Sequence, residues 1–557
     1  MSNEQPDNQT KTSHDEANET VDTTRRAFLG RSAMVAGATA ALPVIAATPG
    51  TANAAVIPQQ RRRRRNAAYE VRASAALEQW TQPLPTHPDN GDAESLTNKI
   101  GSFTKGLPHD EYGEVDLRAF RKLRRALKSG NESRFEAIPL GGARKLANPQ
   151  ATYAFSLEGY DSHRTTMPAA PAFSSKDEVA EIVEVYWHAL LRDVPFSEYD
   201  SHPLVAKAVK DLNKFSYFKK RYSGPVTPAN LFRGETPGDL VGPYISQFLL
   251  KDVPFGATVL EQRYNVDIAG LDFMTGYDEW LEVQRGNVLS SAVLDATPRR
   301  IFDGRSLGSY VHVDFSYQAY LAAAQIITGG LGINPWDPRL PYDFSVTQGR
   351  FVTFGGADLL SLIAKVAHEA LKAAWFHKWQ VHLRLRPETF GGRLHHHLSG
   401  TRSYPIHRSV NKVGVFDETY SRTGSYLLPM AYVEGSPTHP AYPAGHATIA
   451  GACTTIMKAL FDEEHPVPDA IAPDSDGVGV SAYTGDVLTI GGELNKLASN
   501  IALGRDIAGV HWRTDGTEGL LVGEQVAIGV LRDIKRVYNE SFDGFSFRGF
   551  EGNQVTV

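Results

Sequence analysis

The chain has 557 residues, of which 42% are hydrophobic and 22% charged, and its formal net charge is −6. This is the composition of a globular protein with one large or two medium domains, and the overall charge gives no indication of nucleic-acid binding. The one cysteine, Cys453, excludes an internal disulfide.

Residues 1–54 are organised like an export signal. A polar, acidic start is followed by the arginine pair at 25–26, a weakly apolar stretch over 32–47, and an Ala-Asn-Ala triplet at 52–54 that is typical of a cleavage site. The arginine pair resembles that of twin-arginine signals, so we expect a periplasmic or extracellular protein. The apolar run is short for a membrane span, so we expect no transmembrane segment in the mature chain. A tail with an alanine-rich helix is the alternative.

Five consecutive arginines, 61–65, follow the predicted cleavage site. A run of like charges stays solvated, so a solvated arm is our first interpretation. Contact with an acidic membrane surface or a cell-wall polymer is the alternative.

Beyond residue 68 the sequence predicts helices joined by loops rich in proline and glycine. Apolar residues recur at helical spacing over 175–196, 203–215, 309–330, 357–385, 446–463 and 518–542. β-branched alternation is scarce, and no repeat of fixed period is evident. We therefore predict a mainly α protein, with a less regular segment over 55–174 that wraps around a helical-bundle catalytic domain over 175–557.

Three short stretches carry residues that indicate chemistry. In the first, Lys378 and Arg386 lie eight residues apart, and Pro387 predicts that the helix ends at the arginine. Two long cationic side chains in this relation are able to converge on one point, and both suit a tetrahedral oxyanion. A solvated basic helix face is the alternative.

The second stretch, HPAYPAGHATIAGA (439–452), ends a loop on Gly445 and starts a helix of small residues. The Gly445 N–H and the positive end of the helix dipole form a place for an anion. His446, in the first turn, is placed to give or take a proton. The alternative is a histidine with a structural hydrogen bond.

In the third stretch, Arg505 and His511 lie six residues apart, and Asp515 follows His511 by four, which puts the last two on one face if the stretch is helical. A carboxylate there accepts the proton of one ring nitrogen and leaves the other free as a ligand or nucleophile. A surface salt-bridge cluster is the alternative. Together the three stretches supply cations, a backbone donor and two histidines for one oxyanion-shaped centre.

The order and spacing of these residues resemble the vanadium-dependent haloperoxidases, which share an active-site scaffold with the type 2 phosphatidic acid phosphatases. The matching positions are Lys378, Arg386, Pro387, Pro443, Gly445, His446, Arg505, His511 and Asp515. Similar segments at 189–196, 231–250 and 511–515 extend the resemblance over most of the chain from residue 175 onward.

The resemblance implies a role for each matching residue. His511 would be the covalent ligand of vanadate, and His446 the acid–base residue that helps deprotonate hydrogen peroxide. The groups that would neutralise the vanadate oxygens are Lys378, Arg386, Arg505 and the Gly445 amide. The implied activity is oxidation of a halide to a hypohalous-acid equivalent that halogenates small organic acceptors. Cations around the oxyanion withdraw electron density from its centre, which favours attack by halide.

Other positions refine the expected halide. The eight-residue gap between the cations, His439 seven residues before His446, and Trp375 one turn before Lys378 resemble bromoperoxidases. Bromide is therefore the expected substrate, with iodide as the second candidate. We also expect Asp314 to pair with one of the arginines.

One position departs from the family. Many members have serine where this chain has Ala444. A serine hydroxyl would donate a hydrogen bond to a vanadate oxygen, so its loss predicts weaker vanadate binding or an altered halide preference, but not loss of function.

Two other functions stay open. A phosphatase would use His511 as the nucleophile on phosphorus and His446 as the acid for the leaving group. The size of the chain and the matches outside the three stretches argue against it. A non-catalytic oxyanion binder is the third interpretation, with Ala444 as a sign of decay.

Weaker features concern ions and assembly. Three consecutive histidines, 395–397, lie in a predicted Gly-rich loop without the ligand spacing of a transition-metal site. Calcium is a further candidate ion at DSDG (474–477), where a plain turn is the alternative. Large helical members of the family assemble, so a homo-oligomer is expected.

Overall fold

The computed structural model describes residues 58–557, and the predicted export signal lies outside the described residues. The α-helices are α1 (Pro58–Thr81), α2 (Asp92–Ser95), α3 (Leu117–Ser129), α4 (Glu132–Glu136), α5 (Lys176–Leu190), α6 (Pro203–Leu212), α7 (Ser216–Arg221), α8 (Tyr277–Arg285), α9 (Gly304–Val313), α10 (Gln318–Gln325), α11 (Gly356–Phe376), α12 (Pro387–Leu398), α13 (Val415–Thr423), α14 (Gly445–Leu460), α15 (Ile490–Ile507) and α16 (Arg513–Val537). The predicted mainly α class is confirmed.

The strands described in residues 58–557 form three antiparallel pairs of three residues each. They are β1 (Val253–Phe255) with β2 (Thr258–Leu260), β3 (Ile471–Pro473) with β4 (Val480–Ala482), and β5 (Ser546–Arg548) with β6 (Gln554–Thr556). Residues 70–557 form one compact unit. Across the described range, every helix falls short of the length or the hydropathy that a membrane span requires. The predicted boundary at residue 174 stays a prediction.

The core is organised around α14, which packs against α11, α15 and α16. Every residue of α14 except His446 is buried, because its sequence is small or apolar on all faces. Glycines let α14 and α16 touch backbone to backbone. A Cβ on Gly451 would overlap the Leu520 carbonyl, and one on Gly523 would overlap the Thr448 carbonyl. This close packing fixes the N-terminus of α14 relative to the start of α16.

Two predicted helices are interrupted. The segment 309–330 divides into α9 and α10, because Asp314 leaves α9 in an extended conformation with φ −61° and ψ 139°. The segment 357–385 ends as α-helix at Phe376 and continues as a wider π-helical turn over His377–His382, and Leu383 then adopts a left-handed conformation with φ 46°. Apolar periodicity continues through both breaks, so it did not reveal them.

Several helices lie outside the segments that the sequence pattern predicted, and α12 and α15 are two of them. The three consecutive histidines belong to α12 rather than to a loop, because Pro387 provides a favourable helix start. The helix α15 contains two glycines in its first turn and two asparagines, which are poor helix formers. Every residue of α15 except Gly492 is buried, so tertiary packing outweighs the local preference.

The close contact between α14 and α16 predicts a strong effect of one added methyl group. Gly523→Ala should lower the thermal unfolding temperature and destabilise the fold by about 1–3 kcal/mol, because the helices must separate. Gly356→Ala is the control, since a Cβ there meets no atom within 4 Å. Equal melting curves for the two variants would contradict this account of the core.

Candidate active site

Residues from all three stretches meet beside the N-terminus of α14. Arg386 Nη1 lies 2.9 Å from His511 Nε2, which joins the first stretch to the third. The Ala444 N–H donates to the Asp515 carbonyl at 2.8 Å, which joins the second stretch to the third. The structure therefore brings the three stretches together, and the charges of Lys378, Arg386 and Arg505 all act on His511.

Lys378 lies in the π-helical turn His377–His382, a geometry that is frequent at functional sites. Its ammonium group is fully buried and donates to the carbonyls of Pro440 and Ala441 at 2.8 and 2.7 Å. Burial, and then the charge of Arg386, hold the pKa of Lys378 well below its usual range.

Arg386 is also fully buried. It is the N-cap residue of α12, so it precedes a new helix and does not end α11 as the sequence suggested. Its guanidinium donates to the carbonyls of His439 and Val510 at 3.0 and 2.6 Å, and to His439 Nδ1 at 3.1 Å. Burial lowers the pKa of Arg386 to about 9.

Arg505, in the last turn of α15, is 4% exposed. Its Nη1 donates to the Val311 carbonyl at 2.7 Å and lies 3.5 Å from the Tyr432 hydroxyl. Its Nε is buried and has no hydrogen-bond partner among the described residues. An additional acceptor, supplied by a bound anion, would satisfy this donor.

These three cations share one electrostatic feature. Within residues 58–557, Lys378, Arg386 and Arg505 form no ion pair with a carboxylate, in contrast to the buried cations Arg513 and Lys496. Buried charge without a counter-charge is costly in a protein interior. The arrangement therefore suits an anion that brings the missing negative charge.

His511 presents one ring nitrogen to the cations. Its Nδ1 lies 2.7 Å from Asp515 Oδ2, so Nδ1 carries the proton and the lone pair of Nε2 faces Arg386. Burial, and then the charges of Arg386 and Lys378, hold the pKa of His511 well below its usual range, so the imidazole is neutral. His511 precedes α16 and Asp515 lies in its first turn, where it also accepts from the Trp512 N–H. The condition for a shared helical face is therefore not met, because the helix begins after His511, although the predicted hydrogen bond is present.

Arg384 is a further site residue that the sequence patterns did not reveal. Its guanidinium donates to Asp515 Oδ1 at 2.9 Å and to Glu178 and Glu181 of α5 at 2.6 and 2.9 Å. All four side chains are buried. Burial raises the pKa of Glu178 to about 8, despite the nearby arginine. The sequence offered one indication of this role, a second arginine two residues before Arg386. Its carboxylate partners on α5, however, lie about 200 residues away in the chain.

The N-terminus of α14 adds backbone donors. Ala444 is the buried N-cap residue and provides no side-chain cap, so Gly445 and His446 begin the helix without the usual hydroxyl or carboxylate acceptor. Free N–H groups and the helix dipole favour an anion at this end.

His446 pairs with Asp314, whose Oδ1 lies 3.0 Å from His446 Nε2. The predicted pairing of Asp314 with an arginine is therefore wrong. The end of α9 explains the difference: the Val311 carbonyl binds Arg505, and the extended Asp314 reaches the histidine. The His446 side chain is 31% exposed, so it is accessible to solvent.

His439 and Trp375 pack together at the same site, with ring centroids 4.8 Å apart. The Trp375 indole N–H donates to the carbonyls of Ala147 and Asn148 at 3.2 and 3.1 Å, which fixes the ring. Burial, and then the neighbouring cations, hold the pKa of His439 well below its usual range, so the ring is neutral. Its Nδ1 lies 3.1 Å from both Arg386 Nη2 and the Pro440 carbonyl.

The donor set fits an oxyanion and not a bare metal cation. Three cationic side chains and a helix N-terminus surround a neutral imidazole nitrogen, which is a ligand for an electrophilic centre. Within residues 58–557, no group of three or more His, Cys, Asp or Glu side chains is arranged to hold a metal ion. The three consecutive histidines are no exception: His396 binds the Tyr277 hydroxyl at 2.8 Å. Calcium at 474–477 stays a prediction.

Comparison with known proteins extends the likeness beyond the site. Residues 358–540 match the family model of the VCPO second helical-bundle domain. The chain is 36% identical to a vanadium-dependent bromoperoxidase of Corallina pilulifera, over 84% of this chain and 92% of that protein. It is 34% identical to one of Ascophyllum nodosum, over 83% and 87% of the two chains. The homohexameric structure of the second vanadate-dependent bromoperoxidase of Ascophyllum nodosum has a TM-score of 0.84 at 28% identity, and covers 92% of this chain and 94% of its own.

The unpaired cations predict how oxyanions affect stability. Inorganic phosphate should raise the thermal unfolding temperature of the wild-type protein but not that of Lys378→Met, because the variant lacks one of the three charges. Lys458→Met is the matched control. Lys458 is also buried with a pKa lowered to about 8, but it binds Asn495 and the Arg548 carbonyl. Phosphate stabilisation that survives in Lys378→Met would contradict the proposed anion site.

The same variant has a predicted pH dependence in anion-free buffer. Lys378→Met should be more stable than the wild type at neutral pH, because it removes a buried charge without a counter-charge. This advantage should shrink as the pH rises toward the unfolded-state pKa of lysine. Because the folded-state pKa is lowered, the unfolded wild-type chain binds more protons in that window, and its folded state gains stability with pH. Parallel melting curves across pH would contradict the assignment.

Proposed function

This chain belongs to the vanadium-dependent bromoperoxidases, and we propose that it oxidises bromide with hydrogen peroxide at the site around His511. The product would be a hypohalous-acid equivalent that halogenates small organic acceptors. The observation that carries this proposal is the set of three buried cations, without carboxylate partners in the described part of the chain, beside the unprotonated nitrogen of the neutral His511.

Vanadate would be held by this chain's own groups. His511 Nε2 is the ligand, because Asp515 keeps the proton on Nδ1. Lys378, Arg386 and Arg505 neutralise the oxygens, together with the Gly445 N–H. Bound vanadate supplies an electrophilic centre that activates hydrogen peroxide without a change in its own oxidation state. No redox-active protein side chain is then required.

His446 is placed to receive the proton of hydrogen peroxide. Its Nε2 is bound to Asp314, which leaves Nδ1 as the nitrogen that accepts a proton. The carboxylate stabilises the imidazolium that forms, and the partial exposure of His446 lets the proton leave to solvent.

Bromide is the halide that we propose, and iodide is the second candidate. The support is the packing of His439 on Trp375 beside Arg386, together with the spacing that resembles bromoperoxidases. A neutral imidazole and an indole offer a polarisable, weakly hydrated surface next to the cations, which suits a large halide better than a small one.

Location and assembly are part of the same proposal. We propose export through the twin-arginine-type signal in residues 1–54, on the evidence of the sequence pattern described above. We also propose a homo-oligomer, since a bromoperoxidase with this fold is a homohexamer.

The direct test is bromination of a phenol-type indicator by the purified mature chain, with hydrogen peroxide and bromide, with and without vanadate. Activity that depends on vanadate and is suppressed by excess phosphate is the expected result, because both anions compete for one site. A phosphate-ester assay runs beside it. Ester hydrolysis without bromination, inhibited by vanadate, would show that the site is a phosphatase instead.

Asp314→Asn should separate proton transfer from vanadate binding. We expect kcat to fall about 10- to 100-fold with vanadate affinity nearly unchanged, because the amide no longer stabilises the His446 imidazolium. Asp343→Asn is the control, since Asp343 pairs with Arg350 instead. An equal loss of vanadate affinity and kcat would show that Asp314 holds the site together and does not assist the proton.

Ala444→Ser tests the one departure from the family. Restoring the hydroxyl at the N-cap of α14 should tighten vanadate binding by roughly 1–3 kcal/mol, because it adds a donor to a buried anion. Titration of the metal-free protein with vanadate measures this change. An unchanged or weaker affinity would show that the hydroxyl caps the helix and does not reach the anion.

A further inference from the structure

The last turn of α9 contacts the site through more than one residue. The Val311 carbonyl accepts from Arg505 Nη1 at 2.7 Å, and Asp314 binds the proton-accepting histidine. His312 lies between these two residues and has no part in the function proposed above. Its ring is stacked on Tyr432, with centroids 3.8 Å apart and planes inclined by 6°. This residue therefore packs against a side chain that reaches the anion site.

A carboxylate fixes the other edge of the His312 ring. His312 Nε2 lies 2.8 Å from Glu434 Oε1, and the two side chains are 27% and 21% exposed. The backbone carbonyl of Glu434 accepts from Lys105 and Arg144 at 2.7 and 3.5 Å, so the backbone of Glu434 is fixed as well as its side chain. Burial alone would raise the pKa of Glu434, but the opposing effect of His312 and Arg144 is larger. The pKa is therefore lowered to about 2, and the carboxylate is ionised.

Tyr432, which packs on His312, also contacts Arg505. The ring is buried, and its hydroxyl donates to the Gly308 carbonyl at 2.7 Å. The Arg505 guanidinium carbon lies 5.4 Å from the ring centroid, within the range of a cation–π contact. Because Arg505 has no carboxylate partner among the described residues, the Tyr432 ring and the Val311 carbonyl are the contacts that hold it.

We propose that His312 is a positioning residue for Arg505: bound by Glu434, it holds the Tyr432 ring against which the guanidinium rests. This inference depends on the proposed function, because the position of Arg505 matters only if an oxyanion binds there. His312 does not touch the reacting atoms. His312 would affect vanadate affinity and halide oxidation through the Tyr432 ring.

The test compares His312→Ala, His312→Phe and Glu434→Gln with the wild type. Vanadate binding is measured by equilibrium dialysis, and bromide oxidation by kcat and KM. His312→Ala and Glu434→Gln should bind vanadate about three- to tenfold more weakly, which is the size of coupling within one contact network. His312→Phe keeps a ring on Tyr432, so it should bind vanadate more tightly than His312→Ala.

Melting temperatures in anion-free buffer show whether each variant is folded. His465→Gln is the control, because the His465 ring contacts the neighbouring Pro466 carbonyl and not the site. Vanadate affinity equal to that of the wild type in all three variants would overturn this inference alone. Absence of vanadate binding by the wild type would instead overturn the proposed function. If His312→Ala proves unstable, a folded Glu434→Gln that binds vanadate more weakly supports the inference.

Discussion

Three buried cations, which lack carboxylate partners among residues 58–557, set the electrostatic character of the site. Lys378, Arg386 and Arg505 donate to backbone carbonyls and to neutral side chains, which orient them without neutralising their charge. A carboxylate in place of these carbonyls and neutral side chains would neutralise the cations permanently and would compete with a bound oxyanion. The neighbouring Arg384 differs from these three cations, because it pairs with the carboxylates of Glu178, Glu181 and Asp515.

The fold holds this uncompensated charge in place by close packing. The glycine contacts between α14 and α16 fix the anion-binding end of α14 against the segment that carries His511. The same segment is anchored through Asp515 and Arg384 to α5, so the histidine keeps one tautomer. On the solvent side, the end of α9 supplies a carbonyl for a cation and a carboxylate for the proton-accepting histidine. Preorganisation of this kind lets the protein bind charge that develops in the reaction without rearranging.

The three stretches were predictable because their chemistry lies in short spacings that survive in the sequence. Lys378, Arg386, His446 and His511 could therefore be assigned to one centre before the fold was known, and the structure brings together the three stretches that carry them. The partner of Asp314 could not be predicted, because it depends on where α9 ends. Arg384 escaped notice for a similar reason, since its carboxylates lie on a helix far away in the chain. The helix α15 was hidden by glycines and asparagines whose low helix propensity is outweighed by burial.

A crystal structure of the mature protein soaked with orthovanadate tests the central claim most directly. The account predicts one vanadium per chain, bonded to His511 Nε2, with its oxygens contacted by Lys378, Arg386, Arg505 and the Gly445 N–H. Vanadate bound elsewhere, or held without contact to these cations, would contradict it.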